Sequence, residues 1–272
     1  MKKLFLPSSL KILESLSFTK SLYAFDFDGT LAKIVRDPQD ASIRASTNSL
    51  LQELAKHAPL AIVSGRSIAD LRSHLDFEPP HLIGNHGLEG LGARPDALEM
   101  AHKICMKWKR HLEGRLPAQH LRTGVEIEDK SFSLALHYRK SPTKKNAKLA
   151  ILSEAANLDP KPRIILGKCV VNLLPPGAPH KGVALVELML QTNTKSALYV
   201  GDDDTDEDVF SLPNARIFTV RVGRKLTSQA QYFIQSQAEI DRFLKTVIRF
   251  NQHSNPSPDF GSKRKHTVHG RA

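Results

Sequence analysis

Short apolar runs alternate with amphipathic stretches along most of the chain, and this alternation constrains the fold more than any other feature of the sequence. Apolar runs at residues 22–27, 60–63, 81–83 and 197–200 have the length of buried strands, and stretches with helical periodicity separate most of them. Such alternation is typical of a parallel sheet, because each helix carries the chain back to the start of the next strand. The sequence therefore predicts an α/β fold built on a Rossmann-like parallel sheet.

The pattern changes between residues 92 and 176, where helices and strands follow the order αββαββ. The predicted elements are a long amphipathic helix, two strands, a helix and a strand pair, placed at residues 98–112, 125–127, 132–138, 147–156, 163–166 and 169–174. This order indicates a small antiparallel sheet with helices on one face. We therefore expect a discontinuous core, at residues 20–91 and 177–250, interrupted by an inserted α+β domain at 92–176.

The net charge of +11 makes nucleic acid, an acidic membrane surface and an anionic substrate candidate partners. Residues 251–272 carry four basic residues against Asp259 and are polar, rich in Pro and Ser and without periodicity, so we expect a disordered basic tail there. Aromatic residues are 6% of the chain and fall mostly on core-facing positions, unlike the interleaved aromatics of a single-strand binder. The sequence therefore favours an anionic small molecule over nucleic acid or a membrane.

Cysteine content and the lack of long apolar runs bear on the compartment. Cys105 and Cys169 stand alone, which fits a reducing compartment and no structural zinc site. No apolar run approaches the roughly 18 residues needed to span a bilayer. The apolar start is interrupted by Pro7, Lys11 and Glu14, unlike a signal peptide, so we interpret it as mature sequence. We expect a cytoplasmic protein whose oligomeric state the sequence leaves open, a monomer included.

The first group of polar residues follows the apolar run at residues 22–27 and consists of Asp26-Phe27-Asp28-Gly29-Thr30. Two carboxylates beside a buried strand are costly unless a cation or hydrogen-bond donors pair with them. An ordinary turn is the alternative, because Asp and Gly commonly end strands. The five residues therefore indicate either a turn or a pair of reactive carboxylates.

Two further groups follow a buried strand or begin a helix. Ser64-Gly65-Arg66 comes after the run at residues 60–63 and opens a helix, so Ser64 is either an N-cap or a hydroxyl that faces an anion. Lys181, at the start of another helix, is an ordinary solvated lysine unless it lies beside the carboxylates. Both groups indicate a functional site only if the fold brings them close to Asp26.

A cluster of acidic residues, six carboxylates in the seven positions from Asp202 to Asp208, follows the run at 197–200. So many carboxylates repel one another without a cation, and hard oxygen ligands suit Mg²⁺. A solvated acidic helix start is the alternative, since Asp and Glu favour the first turn. That alternative accounts for Glu207 and Asp208 but not for Asp202, which adjoins the apolar run.

These groups together have the chemistry of phosphoryl transfer, since loops at the carboxyl ends of parallel strands converge on one edge. Asp26 would attack phosphorus, while Mg²⁺ neutralises the non-bridging oxygens. Asp28 would protonate a poor leaving group such as a sugar alkoxide and then activate water. Ser64 and Lys181 would hold the phosphoryl oxygens.

The sequence segments DFDGTL, VSGR, HKG and GDDDTDE resemble, in order and spacing, the four motifs of the haloacid dehalogenase superfamily. Between residues 23 and 250 the chain is also similar to the trehalose-6-phosphate phosphatase family, through GNHGLE, EDK, LALHYR and GKCVV. That resemblance implies Mg²⁺-dependent hydrolysis of trehalose 6-phosphate in trehalose biosynthesis, through an aspartyl phosphate. It implies metal ligation by Asp26, Asp202 and the Asp28 carbonyl, with Asp203 and Asp206 supporting the metal site or Lys181.

The inserted segment resembles the cap of that family, which closes over the sugar. The resemblance implies that nine residues face the substrate or support that face: Gly65, Arg66, His86, Glu89, Glu128, Lys130, Arg139, Lys168 and Asn172. One departure concerns Asn172 and Leu174, where the family usually has a glutamate and a basic residue. Because an amide replaces a carboxylate that binds sugar hydroxyls, the same chemistry on another sugar phosphate is the first alternative. A catalytically degenerate basic binding protein is the second.

Overall fold

The computed structural model describes residues 1–35, 37–90, 95–115 and 124–254. Its strands are β1 (Lys2–Lys3), β2 (Ser21–Phe25), β3 (Leu60–Val63), β4 (His81–Ile83), β5 (Glu126–Asp129), β6 (Leu134–His137), β7 (Arg163–Gly167), β8 (Val170–Leu174), β9 (Ser196–Gly201), β10 (Ile217–Val222) and β11 (Tyr232–Ile234). Its helices are α1 (Pro7–Ser15), α2 (Ala45–His57), α3 (Ile68–Ser73), α4 (Pro95–Arg115), α5 (Lys144–Ala156), α6 (Lys181–Gln191), α7 (Glu207–Phe210) and α8 (Ile240–Ser254). No helix in these described ranges has the length and apolarity to cross a membrane.

The core is a seven-stranded sheet in the order β1-β11-β10-β9-β2-β3-β4, and every adjacent pair of its strands is parallel. Side chains alternate between its two faces, so Tyr23 and Phe25 pack with α1, α2 and α8, while Leu22 and Ala24 pack with α6 and α7. Helices thus cover both faces, as buried parallel strands require. The predicted α/β core is confirmed.

A second sheet has the order β5-β6-β8-β7 and is antiparallel throughout. Leu134, Leu173 and Ile151 belong to the hydrophobic cluster that joins one face of this sheet to α4 and α5. A register row of Glu128, Ala135, Asn172 and Ile165 occupies the other face. The elements follow the predicted αββαββ order, and the polar face is free to line a site. We call this part the cap; its exact limits, near residues 92 and 176, stay a prediction, and residues 91–94 lie outside the described residues.

Both ends of the folded chain extend beyond the predicted core. β1, of two residues, pairs with the three-residue β11 at one edge of the sheet, and the sequence analysis predicted neither strand. Helix α8 continues to Ser254, although the basic tail was predicted to begin at residue 251. Asn251 is buried and its Nδ2 donates to the Tyr23 hydroxyl at 2.9 Å, which gives a polar residue a place in the core. Residues 255–272 of the predicted tail lie outside the described residues.

Candidate active site

A cavity of about 400 Å³ lies between the carboxyl ends of β2, β3 and β9 and the polar face of the cap sheet. The core contributes Asp26, Asp28, Ser64, Gly65, Arg66, His86, Lys181, Asp202 and Asp203 to its lining, and the cap contributes Glu128, Lys130, His137, Arg139, Lys168 and Asn172. The fold therefore brings together most of the residues that the sequence singled out, because the loops that leave parallel strands share one edge of the sheet.

Asp26 and Lys181 form a buried ion pair at the base of this cavity. The Lys181 Nζ donates to Asp26 Oδ1 at 2.7 Å and to Asp206 Oδ1 at 2.8 Å. Asp206 is fully buried, and it also accepts from the Tyr199 hydroxyl at 2.7 Å and from the Asp203 N–H at 2.9 Å. Asp206 therefore holds Lys181 in place, whereas the second oxygen of Asp26 faces no hydrogen-bond donor among the described residues.

The groups around this ion pair carry more negative than positive charge, because Asp202 and Asp206 lie beside Asp26. Burial raises the pKa of Asp26 well above its usual value, Asp206 and Asp202 raise it further, and Lys181 opposes them. Burial alone would lower the pKa of Lys181, but Asp206 and Asp26 raise it well above the usual range, so the lysine is protonated and positively charged. The carboxylates of Asp26, Asp202 and Asp206 lie together, and Lys181 pairs with two of them, so an additional cation would stabilise the ionised form of Asp26.

Asp202 completes this acidic cluster. Burial, followed by Asp206 and Asp203, raises the pKa of Asp202 to about 7. Its Oδ1 is buried and has no hydrogen-bond partner in the described part of the chain. The carboxylate packs on Gly29, which has a φ of +84° and where any Cβ would overlap it. Asp26, Asp202 and Asp206 each offer an oxygen within 4.8 Å of the others, so an acidic cluster with one free buried oxygen atom is present.

Arg66 borders the cavity, and its guanidinium is paired with Asp28. Its Nε and Nη2 donate to the two Asp28 carboxylate oxygens at 2.7 and 2.8 Å, and its other donors reach Asp70 and the Pro38 carbonyl. This bidentate ion pair fixes the direction of the Asp28 side chain. The sequence predicted Arg66 as a substrate ligand, and the structure places its guanidinium on Asp28 and Asp70, two residues that border the cavity.

Ser64 is buried beside Asp26 and does not cap a helix. Its Oγ accepts from the Arg66 N–H at 3.2 Å, while Ser67 caps α3 by accepting from the Asp70 N–H. The N-cap alternative for Ser64 is therefore wrong. The Ser64 hydroxyl lines the cavity and can donate its hydrogen to an anion.

A left-handed turn at Asn85 and His86 joins the core to the cap. Asn85 has φ +49°, accepts from the Ser133 Oγ and donates to the Lys130 carbonyl at 3.2 Å. His86 has φ +58°, and its ring is buried and borders the cavity. Neither ring nitrogen has a hydrogen-bond partner among the residues that the structure describes. Burial, then Lys181, lowers the pKa of His86 well below its usual value, so the ring is neutral.

Glu89 lies behind this turn and does not border the cavity. It accepts from the Ile68 N–H at 3.0 Å and from the Asn85 Nδ2 at 2.9 Å. Both contacts lie within the core, so Glu89 holds the turn at Asn85 in place and does not face the cavity, although the sequence analysis placed it among the substrate ligands.

The cap side chains that face the cavity are partly paired with one another. Burial alone would raise the pKa of Glu128, but His137 at 2.7 Å and Lys130 lower it, so the group is a carboxylate. Lys130 Nζ donates to the Gly65 carbonyl at 3.2 Å and thereby connects the cap to the loop after β3. Arg139 donates to the Lys168 carbonyl at 3.1 Å, and Asn172 has only a long 3.5 Å bond to Ile165.

The sequence analysis missed several residues at the site, including His137, which lines the cavity and contacts Glu128 at 2.7 Å. Tyr199 and Arg221 stand inside apolar strands, where nothing in the sequence shows which way their polar ends point. Asp70 follows Arg66 by four residues and pairs with it at 2.7 Å, but Arg66 precedes helix α3, so helical spacing alone does not predict the pair.

Comparison with known proteins gives consistent matches. The family model for trehalose-phosphatase matches residues 24–238. The trehalose-phosphate phosphatase of Mycobacterium ulcerans is 32% identical over 256 residues, which are 88% of this chain and 65% of that protein. Trehalose-phosphate phosphatase B of Arabidopsis thaliana is 27% identical over 271 residues, covering 90% of this chain and 72% of that one. The chain spans about two thirds of the length of the mycobacterial relative.

Solved structures share the fold. The crystal structure of a trehalose-6-phosphate phosphatase related protein superposes with a TM-score of 0.72 and 23% identity, covering 86% of this chain and all of that one. Because the identity is low, this likeness establishes the fold alone.

Proposed function

The chain belongs to the trehalose-phosphatase family, and we propose that it hydrolyses trehalose 6-phosphate to trehalose and phosphate in a Mg²⁺-dependent reaction. One observation carries this proposal: a buried Asp26–Lys181 pair and an unpartnered Asp202 oxygen face a cavity whose opposite wall is the polar face of the cap. Nothing in the packing of the core requires charged groups at that depth, whereas a phosphate ester with its metal ion does.

The acidic cluster fits Mg²⁺, because it supplies hard oxygen atoms and one buried oxygen without a partner. Asp26, Asp202 and the Asp28 carbonyl would hold the ion, with Asp203 and Asp206 supporting the site from behind. The ion would supply positive charge to the non-bridging oxygens of the phosphate. Asp206, whose oxygens already accept three hydrogen bonds, would act mainly through Lys181.

The first step is attack on phosphorus by the Asp26 oxygen that Lys181 does not bind. A bond forms between that oxygen and phosphorus while the bond from phosphorus to the sugar oxygen breaks. Asp28 gives its proton to the departing oxygen, and for that its carboxyl group must turn from Arg66, which keeps Asp70 and the Pro38 carbonyl as partners. Lys181 and Ser64 donate to the phosphoryl oxygens throughout.

The second step hydrolyses the aspartyl phosphate. Asp28, now a carboxylate, takes a proton from water as the water oxygen attacks phosphorus, and the bond to Asp26 breaks. This releases phosphate and restores the Asp26 carboxylate. The observed bidentate pairing of Asp28 with Arg66 is suited to this step, because it fixes the direction of the carboxylate.

The cap supplies the sugar contacts in this proposal. Glu128, Lys130, Arg139, Lys168 and Asn172 line the cavity opposite Asp26, and sugar hydroxyls would bind to them. His86 would add a neutral imidazole whose nitrogens have no protein partner. We further propose a cytoplasmic location, supported by the free thiols of Cys105 and Cys169.

A substrate panel tests the sugar. We expect kcat/KM for trehalose 6-phosphate to exceed that for sucrose 6-phosphate and glucose 6-phosphate by at least about 100-fold, since unpaired buried polar groups penalise a wrong sugar. Phosphate release at saturating Mg²⁺ measures it. Asn172 favours one alternative, hydrolysis of a different sugar phosphate by the same chemistry, because its amide is a weaker acceptor for sugar hydroxyls than a carboxylate. Preference for another disaccharide phosphate would overturn the substrate and leave the phosphatase mechanism standing.

A further inference from the structure

Arg221 is a buried arginine at the carboxyl end of β10, in a strand whose other residues pack in the core. It is level with Gly201 of β9 in the parallel register, so it lies directly beside the start of the acidic segment, residues 202–208. Only 6% of the residue is exposed. A buried charge in an otherwise apolar strand is costly and calls for a partner that explains it.

Within the described ranges, each hydrogen bond of the Arg221 guanidinium goes to the acidic segment. Nη1 donates to the Asp203 carbonyl and to Glu207 Oε1, both at 3.1 Å, and Nη2 donates to the Asp202 carbonyl. Glu207 is in turn held by the Gln229 N–H at 2.9 Å. Glu207 therefore balances the charge of Arg221, and the remaining donors fix two successive backbone carbonyls.

We propose that Arg221 is a positioning residue that sets the direction in which Asp202 presents its carboxylate to a divalent cation. The inference rests on the proposed function, because it concerns the metal site of that reaction. Asp202 is fixed on two sides: its carbonyl is bound by Arg221, and its carboxylate packs on Gly29. The side chain is thereby held where one of its oxygens lies within 4.8 Å of an Asp26 oxygen, and its buried Oδ1 has no hydrogen-bond partner among the described residues.

Repulsion within the segment gives a second reason for the arginine. Asp202, Asp203 and Asp206 lie within a few residues of one another at the end of a buried strand. Without a fixed cation behind the backbone, the segment would relax by separating its carboxylates, and the site would lose its geometry. Arg221 opposes that relaxation from the side away from the cavity, so it acts on the metal through the backbone and needs no contact with substrate. Supporting contacts of this kind typically contribute about 10- to 100-fold in metal affinity.

Metal affinity measured without substrate tests the inference. Mn²⁺ is titrated calorimetrically into the wild-type chain, Arg221→Met and Arg221→Lys, with Arg44→Met as the matched control. Arg44 pairs with Asp241 at the start of α8, far from the acidic segment along the chain. We expect the Kd for Mn²⁺ to rise about 10- to 100-fold in Arg221→Met. It should rise less in Arg221→Lys, which keeps the charge, and stay unchanged in Arg44→Met.

Kinetics give a second readout for Arg221→Met. The Mg²⁺ concentration for half-maximal turnover should rise by the same factor as the Kd, while KM for trehalose 6-phosphate at saturating Mg²⁺ stays within about twofold.

A Kd within twofold of the wild type in folded Arg221→Met overturns the inference. If Arg221→Met does not fold, Arg221→Lys decides in the same way, and an unchanged Kd there also overturns it. A wild-type chain that binds no Mn²⁺ contradicts the proposed metal-dependent function itself, which is a different result from wild-type binding that the variants leave unchanged.

Discussion

Replacing Asp26 by asparagine is expected to lower phosphate release from trehalose 6-phosphate by about 10⁴-fold or more, because the amide oxygen cannot form the covalent bond to phosphorus. Asparagine keeps the size of the side chain, and Lys181 keeps Asp206 as its partner, so the pocket should keep its shape. A continuous phosphate assay on the purified variant measures the loss.

Asp159→Asn is the matched control, since the Asp159 side chain is 88% exposed and, among the described residues, forms an ion pair with Lys107 alone. This control should retain activity within about twofold, as surface changes usually do. If folded Asp26→Asn keeps more than about one hundredth of the wild-type rate, water attacks the ester directly and the covalent step assigned to Asp26 is wrong.

Replacing Asp28 by asparagine is expected to act selectively on poor leaving groups. The value of kcat/KM for trehalose 6-phosphate should fall about 10³-fold, because the sugar oxygen then departs without a proton. For p-nitrophenyl phosphate the fall should be less than about tenfold, since that phenolate leaves without protonation. Because kcat/KM reports only steps up to departure of the first product, the later role of Asp28 as a base does not obscure the comparison.

The ratio between the two substrates distinguishes chemistry from structure. A structural disturbance from loss of the Arg66 ion pair would reach helix α3 at Asp70 and the segment at Pro38, and it would reduce both activities equally. Equal losses would therefore contradict the acid role of Asp28, even if the variant were inactive on the sugar phosphate.

The core and the cap were predictable because each has a strong pattern. Buried strands such as β3 and β9 are continuous apolar runs, and β6 alternates between faces, so length and periodicity identify them. β1 could not be found this way, since both of its residues are exposed lysines at a sheet edge. The extension of α8 depends on a contact between Asn251 and Tyr23, which are more than 200 residues apart.

Some residues of the candidate site were likewise predictable from the sequence pattern, and others were not. Asp26, Ser64, Lys181 and Asp202 follow strands or start helices, and the topology of a parallel sheet alone brings them to one edge. The partners of these residues depend instead on side-chain direction and on long-range packing. The pairing of Arg66 with Asp28 joins two different loops, and Arg221 acts on carbonyls that carry no side-chain signal. The roles assigned to all of these residues stay predictions until variants are measured.

Phosphate release from trehalose 6-phosphate with and without Mg²⁺ tests the central claim most directly. With Mg²⁺ the wild-type chain should release one trehalose and one phosphate per molecule consumed, at a rate within the usual range for enzymes of about 1–10³ s⁻¹. Chelation of the metal should abolish that release, and added Mg²⁺ should restore it. Failure to release phosphate from trehalose 6-phosphate at saturating Mg²⁺, or undiminished release after chelation, would contradict the account.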